Sequence, residues 1–255
     1  MSTVSEIYHT LDQLFPFSLS MDFDNTGILV GDRSQPVTRA LVALDCTLPV
    51  LELAKQLDAQ LIITHHPVIF QPIRRINEDS VVYHLIRSGI AVISAHTNLD
   101  IARGGVNDAL AEAVGLTDCR GLELVSPSSG DFLGRIGQLA EPTSAHEFAL
   151  TLKSRLGAAS VKFADAGKPI RTVALCSGSG ADYLELAAAS GADALLTSEV
   201  KQHQYLNATA LGISVFDAGH FDTEDIVIEP LREKLASLIP DVTFLSTHLS
   251  PITAV

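Results

Sequence analysis

The sequence predicts an α/β fold of two lobes, each built on a mostly parallel or mixed sheet covered by helices. Two observations carry this. Short, continuously apolar runs at 40–44, 60–64 and 90–94 alternate with helical patterns, and the same alternation resumes after residue 130. Strands apolar on both faces belong to sheets covered on both sides. Between the two series lies a polar, turn-rich stretch, Ser126-Pro127-Ser128-Ser129-Gly130, the expected boundary between lobes. The expected division is 1–126 plus 217–255 for the first lobe and 127–216 for the second, with any functional site between them. A chain of 255 residues, 47% hydrophobic, has the material for such cores.

The elements follow in order. A helix over 5–15 puts Ile7, Leu11 and Leu14 on one stripe, and Pro16 stops it. Asp24-Asn25-Thr26-Gly27 is turn chemistry leading into a strand at Ile28-Leu29-Val30. Strands are expected at 40–44, 60–64 and 90–94, with helices at 50–57, 80–87 and 106–114, the last stopping at Gly115. The second series predicts strands at 132–139, 161–163, 172–175, 192–196, 213–216 and 242–245. Its helices are expected at 145–156, 183–189, 204–211 and 225–238. An internal echo runs through both series. Leu51-Glu52-Leu53-Ala54 and Leu61-Ile62-Ile63-Thr64 match Leu184-Glu185-Leu186-Ala187 and Ala194-Leu195-Leu196-Thr197. Either the lobes are related, or any two strand-helix-strand units look alike. If they are related, His65-His66 falls where Ser198-Glu199 falls.

Composition excludes some classes of function. A formal net charge of −13 without a Lys/Arg run argues against general nucleic-acid binding. No apolar stretch is long enough to span a membrane, and the first residues lack the basic-then-apolar pattern of a secretory signal. Cys46, Cys119 and Cys176 are scattered and form no C-x-x-C pair, so they read as reduced core thiols. A cytoplasmic protein is expected.

The chemistry-bearing residues follow predicted strands, where open α/β sheets place functional groups. They are Thr64-His65-His66-Pro67, Ser94 to Asp100, Thr197-Ser198-Glu199 and Asp217-Ala218-Gly219-His220. Adjacent residues on a regular strand face opposite ways, but past its end His65 and His66 are free of that rule. His96 and Asp100 are four apart, as are His220 and Glu224, which puts each pair on one helical face. Imidazole nitrogen with carboxylate oxygen suits zinc, iron, manganese or nickel. Glu224 is the natural bridging carboxylate. Gly104-Gly105 reads either as an anion-binding helix start or as a plain loop turn. Asn25 reads as a substrate or water contact, or as turn structure. His203, four after Glu199 and near Lys201, is a candidate lining residue.

The ordered motifs D-N-T-G-x-L-V-G, T-H-H-P-x-x-F, H-T-N-L-D, T-S-E-x-K-x-H and D-A-G-H-x-x-T-E resemble those of the YbgI-type dinuclear-metal-centre family, whose members are catalogued as GTP cyclohydrolase I type II homologues. They run from Asp24 to Glu224, nearly the whole chain. The chain departs from the family in having Phe23 where Trp is common and Ser198 where Gly is usual. The resemblance implies the short form without an inserted middle domain, two α/β lobes and a toroidal homohexamer. It assigns His65, His66, Asp100, His220 and Glu224 as ligands of two divalent metal ions, with His96 a further ligand or a neighbour of one. It implies a metal-dependent hydrolase acting on a nucleotide or related heterocycle, with Glu199 or His96 moving protons. Two rival expectations stand beside it. One is a two-metal phosphoesterase using Lys201 and Arg103 for phosphate. The other is a non-catalytic metal-binding scaffold or regulator.

Overall fold

The computed structural model describes Met1–Ser126 and Gly130–Thr253. The chain begins with α1 (Val4–Leu14), whose Thr3 and Glu6 form a reciprocal capping box and whose Val4, Ile7 and Leu11 are buried. Then come β1 (Gly27–Val30), β2 (Arg39–Ala43), α2 (Leu48–Gln56), β3 (Leu61–Thr64), α3 (Val81–Ser88), β4 (Ala91–Ser94) and a one-turn helix, α4 (Thr97–Ile101). Next are α5 (Val106–Val114), β5 (Thr117–Ser126), β6 (Asp131–Thr143), α6 (Ala145–Leu156), β7 (Lys162–Ala164), β8 (Ile170–Leu175), α7 (Leu184–Ala189), β9 (Ala194–Thr197), α8 (Gln202–Leu211), β10 (Ser214–Asp217) and α9 (His220–Glu224). The chain ends with α10 (Ile228–Leu238) and β11 (Thr243–Ser246).

Contacts divide these elements into two units. The first is Met1–Ala102 with Ile228–Pro251, and the second is Arg103–Val227 with the chain end from Ile252. The first holds a mixed five-stranded sheet in the order β1-β4-β3-β2-β11, in which only β1 runs antiparallel to its neighbour. Leu41, Ile62 and Val92 of this sheet pack on Leu51 and Ala54 of α2 and on Val82 and Leu85 of α3.

The second unit holds a mixed six-stranded sheet in the order β5-β6-β8-β9-β10-β7. Side chains alternate across it, as strand geometry requires. Val173, Leu175, Ala194, Leu196 and Phe216 meet α5 and α6 on one face, while Ala174, Leu195 and Val215 meet α7 and α8 on the other. Coverage of both faces explains why these strands read as unbroken apolar runs. Leu195 and Leu196 are fully buried, each worth roughly 1.5–3 kcal/mol over exposure.

The structure places three expectations differently. The division between units falls at Ala102/Arg103 and Val227/Ile228, whereas the sequence reading put it at 126/127 and 216/217. Leu110, Ala111 and Val114 of α5 bury themselves on the second sheet, which draws that helix into the second unit. The turn-rich stretch joins β5 and β6, which pair as antiparallel neighbours from Thr117↔Gln138 to Ser126↔Asp131; its Pro127, Ser128 and Ser129 lie outside the described residues. Third, Cys46 and Cys176 are buried as expected, but Cys119 is exposed on the edge strand β5. Among the described residues no helix is long and apolar enough to cross a membrane.

The echo has a structural counterpart. In the first unit Ala40 pairs with Leu61, and Leu61 with Ala91. In the second Val173 pairs with Ala194, and Ala194 with Ser214. One step beyond the strands the Ala95 N–H donates to the Thr64 carbonyl, and the Ala218 N–H to that of Thr197. Each unit therefore contains three parallel strands in the same register, with a one-turn helix soon after the third.

Candidate metal centre

Parallel β2, β3 and β4 bring their carboxyl ends side by side in the first unit. Asp45, His66 and His96 each stand two residues past such an end. Sheet pairing continues briefly: the N–H groups of His65 and His66 donate to the carbonyls of Ala43 and Leu44. The Thr64 hydroxyl donates to the His66 carbonyl and meets the Ser94 hydroxyl at 2.8 Å. Past the strand the two neighbouring imidazoles turn together. The ring centroids of His65 and His66 are 5.0 Å apart, and His96 lies 5.1 and 5.7 Å from them. One ring nitrogen from each falls within 4.8 Å of the others, a group able to hold a metal ion.

Each ring is oriented from behind. His65 Nδ1 lies 2.9 Å from the Ala95 carbonyl, His66 Nδ1 2.8 Å from Asp45 Oδ1, and His96 Nδ1 2.9 Å from Asp24 Oδ1. A carbonyl or a carboxylate only accepts, so each Nδ1 carries a proton, and in its neutral form each ring has its lone pair on Nε2. Asp24 is held in turn by the Thr97 N–H and hydroxyl. Burial pushes the Asp24 carboxyl up, but the hydrogen bonds from His96 and Thr97 outweigh it and hold the group at about 2. Asp100, one turn along α4 from His96, is buried with Oδ1 3.7 Å from His65 Nε2.

The second unit carries a smaller constellation. His220 opens α9 and Glu224 ends it. His220 Nδ1 lies 2.9 Å from Glu199 Oε1, and its Nε2 lies 3.0 Å from Glu224 Oε2. The hydrogen bond from His220 holds the Glu199 carboxyl below the usual range, with help from Ser179. Glu199 takes up a left-handed backbone, φ 55°, rare for a residue with a side chain. Asp217 ties the two loops together. Its Oδ2 accepts from the Val200 N–H, and its Oδ1 from the Gly219 N–H.

Two observations show that this donor set fits a cation. With its Nδ1–H donating to Glu199, His220 in its neutral form turns a lone pair towards Glu224, a carboxylate only 3% exposed. Two electron-rich atoms 3.0 Å apart need a proton or a metal ion between them. The second observation is Gly178, at φ 58°. A Cβ there would stand 2.2 Å from Glu224 Oε1 and 3.2 Å from His220 Nε2, so the backbone is bare where these two side chains meet.

Other candidates resolve otherwise. The Gly104 N–H donates to Asp108, so the chain's own carboxylate occupies the helix start considered for an anion. Asn25 Nδ2 donates to the Ile69 carbonyl and serves as a loop tie. His203 and Lys201 are exposed at the start of α8. Sequence reading gave no role to Asp45 or Gly178, read Asp24 only as turn chemistry, and named Asp217 only as part of the cluster leading to His220. Asp45 had a usable signal, since it stands at the same offset past its strand as His66 and His96.

The family model for Duf34/NIF3 (NGG1p interacting factor 3) matches residues 2–253. The chain belongs to the DUF34/NIF3 family. Among NIF3 relatives it is 34% identical over 248 residues to a Clostridium perfringens protein named GTP cyclohydrolase 1 type 2 homolog, covering 95% of both chains. The crystal structure of the Staphylococcus aureus hypothetical protein SA1388 superposes with a TM-score of 0.92 at 25% identity, covering 99% of both chains. The protein ybgI, described as of unknown function, superposes at 0.86 with 25% identity, over 98% of this chain and all of that one. These likenesses bear out the YbgI-type resemblance and the α/β architecture expected of a NIF3 protein.

Proposed function

We propose that this NIF3 protein is a metal-dependent hydrolase of a nucleotide or related heterocycle. His65, His66 and Asp100 from one unit and His220 and Glu224 from the other would hold two divalent ions, of iron, zinc, manganese or nickel. The observation that carries the reading is the facing of imidazole lone pairs and buried carboxylates within each unit, an arrangement that a cation completes. Bound divalent ions of this kind lower the pKa of a bound water towards neutrality and polarise the group under attack. The chain's own residues do the rest. His96, backed by Asp24, keeps an Nε2 lone pair for moving a proton beside His65 and His66. Glu199 orients His220 by accepting the hydrogen bond from its Nδ1.

The name shared by the relatives points to GTP as the first substrate to try, with opening of the purine imidazole ring and release of formate. The same reading takes the protein as a cytoplasmic homo-oligomer, a toroidal hexamer, meeting a small-molecule substrate. The test is to incubate the metal-loaded protein with GTP and follow formate and inorganic phosphate, with Glu224→Gln as control. Formate release that disappears in the variant is the expected result. Phosphate alone would mean a two-metal phosphoesterase. Neither product, across a wider set of nucleotides, would leave a metal-binding scaffold.

A further inference from the structure

Two phenyl rings stand in water beside the histidine cluster of the first unit. Phe23 is 64% exposed and Phe70 43%. A single exposed apolar side chain needs no explanation, but two held together by polar ties call for one. Phe23 precedes Asp24, whose carboxylate is fixed on His96 and Thr97. Phe70 follows Ile69, whose carbonyl accepts from Asn25. Each ring is thus one residue from an anchored group, and the anchors tie the two segments to each other. The phenyl centroids are 6.5 Å apart with planes at 69°, and Phe70 stands at 88° to His96 with centroids 6.1 Å apart. Rings set this way make an open corner and not a closed stack.

We propose that Phe23 and Phe70 form a stacking subsite for a planar nitrogen heterocycle of the purine class, which seats the substrate ring beside His96. The proposal rests on the hydrolase reading for what happens to the ring, but it makes its own claim about binding. A flat ring laid on one phenyl turns its edge towards the other, so both aromatic quadrupoles are satisfied. An alkyl chain would gain buried area without that geometry. Chemistry on a ring atom requires the ring itself, not a phosphate tail, to be held next to the proton-moving group. Phe70 is the residue in edge-to-face contact with both Phe23 and His96, so it defines the corner.

The test uses the full chain loaded with Zn²⁺ and two probes that share sugar and phosphate but differ in the base, guanosine 5′-monophosphate and ribose 5-phosphate. Binding is measured by calorimetry. The expected result is tighter binding of the nucleotide. Phe23→Ala and Phe70→Ala should each weaken it about tenfold and leave ribose 5-phosphate binding, zinc content and molecular mass unchanged. Phe70→Tyr, which keeps a ring, should restore binding; Phe70→Leu should not. Equal affinity of the wild type for both probes overturns the proposal, as do alanine variants that bind the nucleotide normally. A change of mass by light scattering in the double variant also overturns it, because the rings would then be a contact between copies of the chain. Failure of the hydrolase reading looks different: the nucleotide binds through the phenyl rings, yet GTP is not turned over. That outcome supports the subsite and removes the reaction.

Discussion

Gly178→Ala isolates the contact on which the His220–Glu224 pair depends. The added methyl would lie 2.2 Å from Glu224 Oε1, more than an ångström inside the ordinary contact range of 3.4–4 Å. The backbone is poorly placed to retreat, because the Gly178 carbonyl accepts from the Ser198 N–H at 3.0 Å and from the Thr197 hydroxyl at 3.1 Å. Glu224 must therefore swing away from His220. The φ of 58° adds a left-handed penalty of about 1 kcal/mol for any side chain. Gly157 supplies the control, with φ 69° and open space for 4 Å around the place a Cβ would take. Gly157→Ala should lose about 1 kcal/mol of stability in chemical denaturation and keep its zinc affinity. Gly178→Ala should lose at least as much stability and also bind zinc about 10- to 100-fold more weakly in a competition titration. Wild-type zinc affinity in Gly178→Ala would refute the assignment of His220 and Glu224 as ligands.

Two further outcomes are expected. Asp217→Asn keeps the shape but leaves one acceptor where two N–H groups and the Tyr205 hydroxyl now converge; it should cost roughly 1–3 kcal/mol of stability and weaken zinc binding about tenfold, and an unchanged titration would show that this carboxylate does not position His220. The Asp24 carboxyl is depressed to about 2 from an ordinary 3.8, so its contribution is fully present above pH 4 and is lost as pH falls through 2. In metal-free protein the stability gap between wild type and Asp24→Asn, about 2 kcal/mol at neutral pH, should close over that window; a gap independent of pH would show that the His96 and Thr97 bonds do not stabilise the charged form.

The strands buried on both faces were legible because burial leaves an unbroken apolar signature, as at Leu61-Ile62-Ile63 and Ala194-Leu195-Leu196. Edge strand β5 was not, since Asp118, Arg120 and Glu123 interrupt its pattern and it pairs on one side only. The expected unit boundary differs from the contact division for a related reason: a polar stretch marks a departure from the core whether it joins two units or two paired strands. In the candidate site, the histidines and their carboxylates at a spacing of four were visible as residue types. Their supporting groups were not. Asp24 reaches His96 from 72 residues away, a contact of which sequence spacing carries no record, and Asp45 reaches His66 from 21, where the shared offset past a strand end was the one pointer. Gly178 was invisible because its role is the absence of a side chain.

The four imidazoles do not share one kind of support. His66, His96 and His220 each lean on an anion, whereas His65 leans on the neutral carbonyl of Ala95. A negative partner behind an imidazole makes it a stronger electron donor, and an uncharged one leaves it weaker. A cation held mainly through His65 would therefore stay the more electron-poor and the more easily exchanged, while one held through the anion-backed rings would be gripped harder and made less acidic.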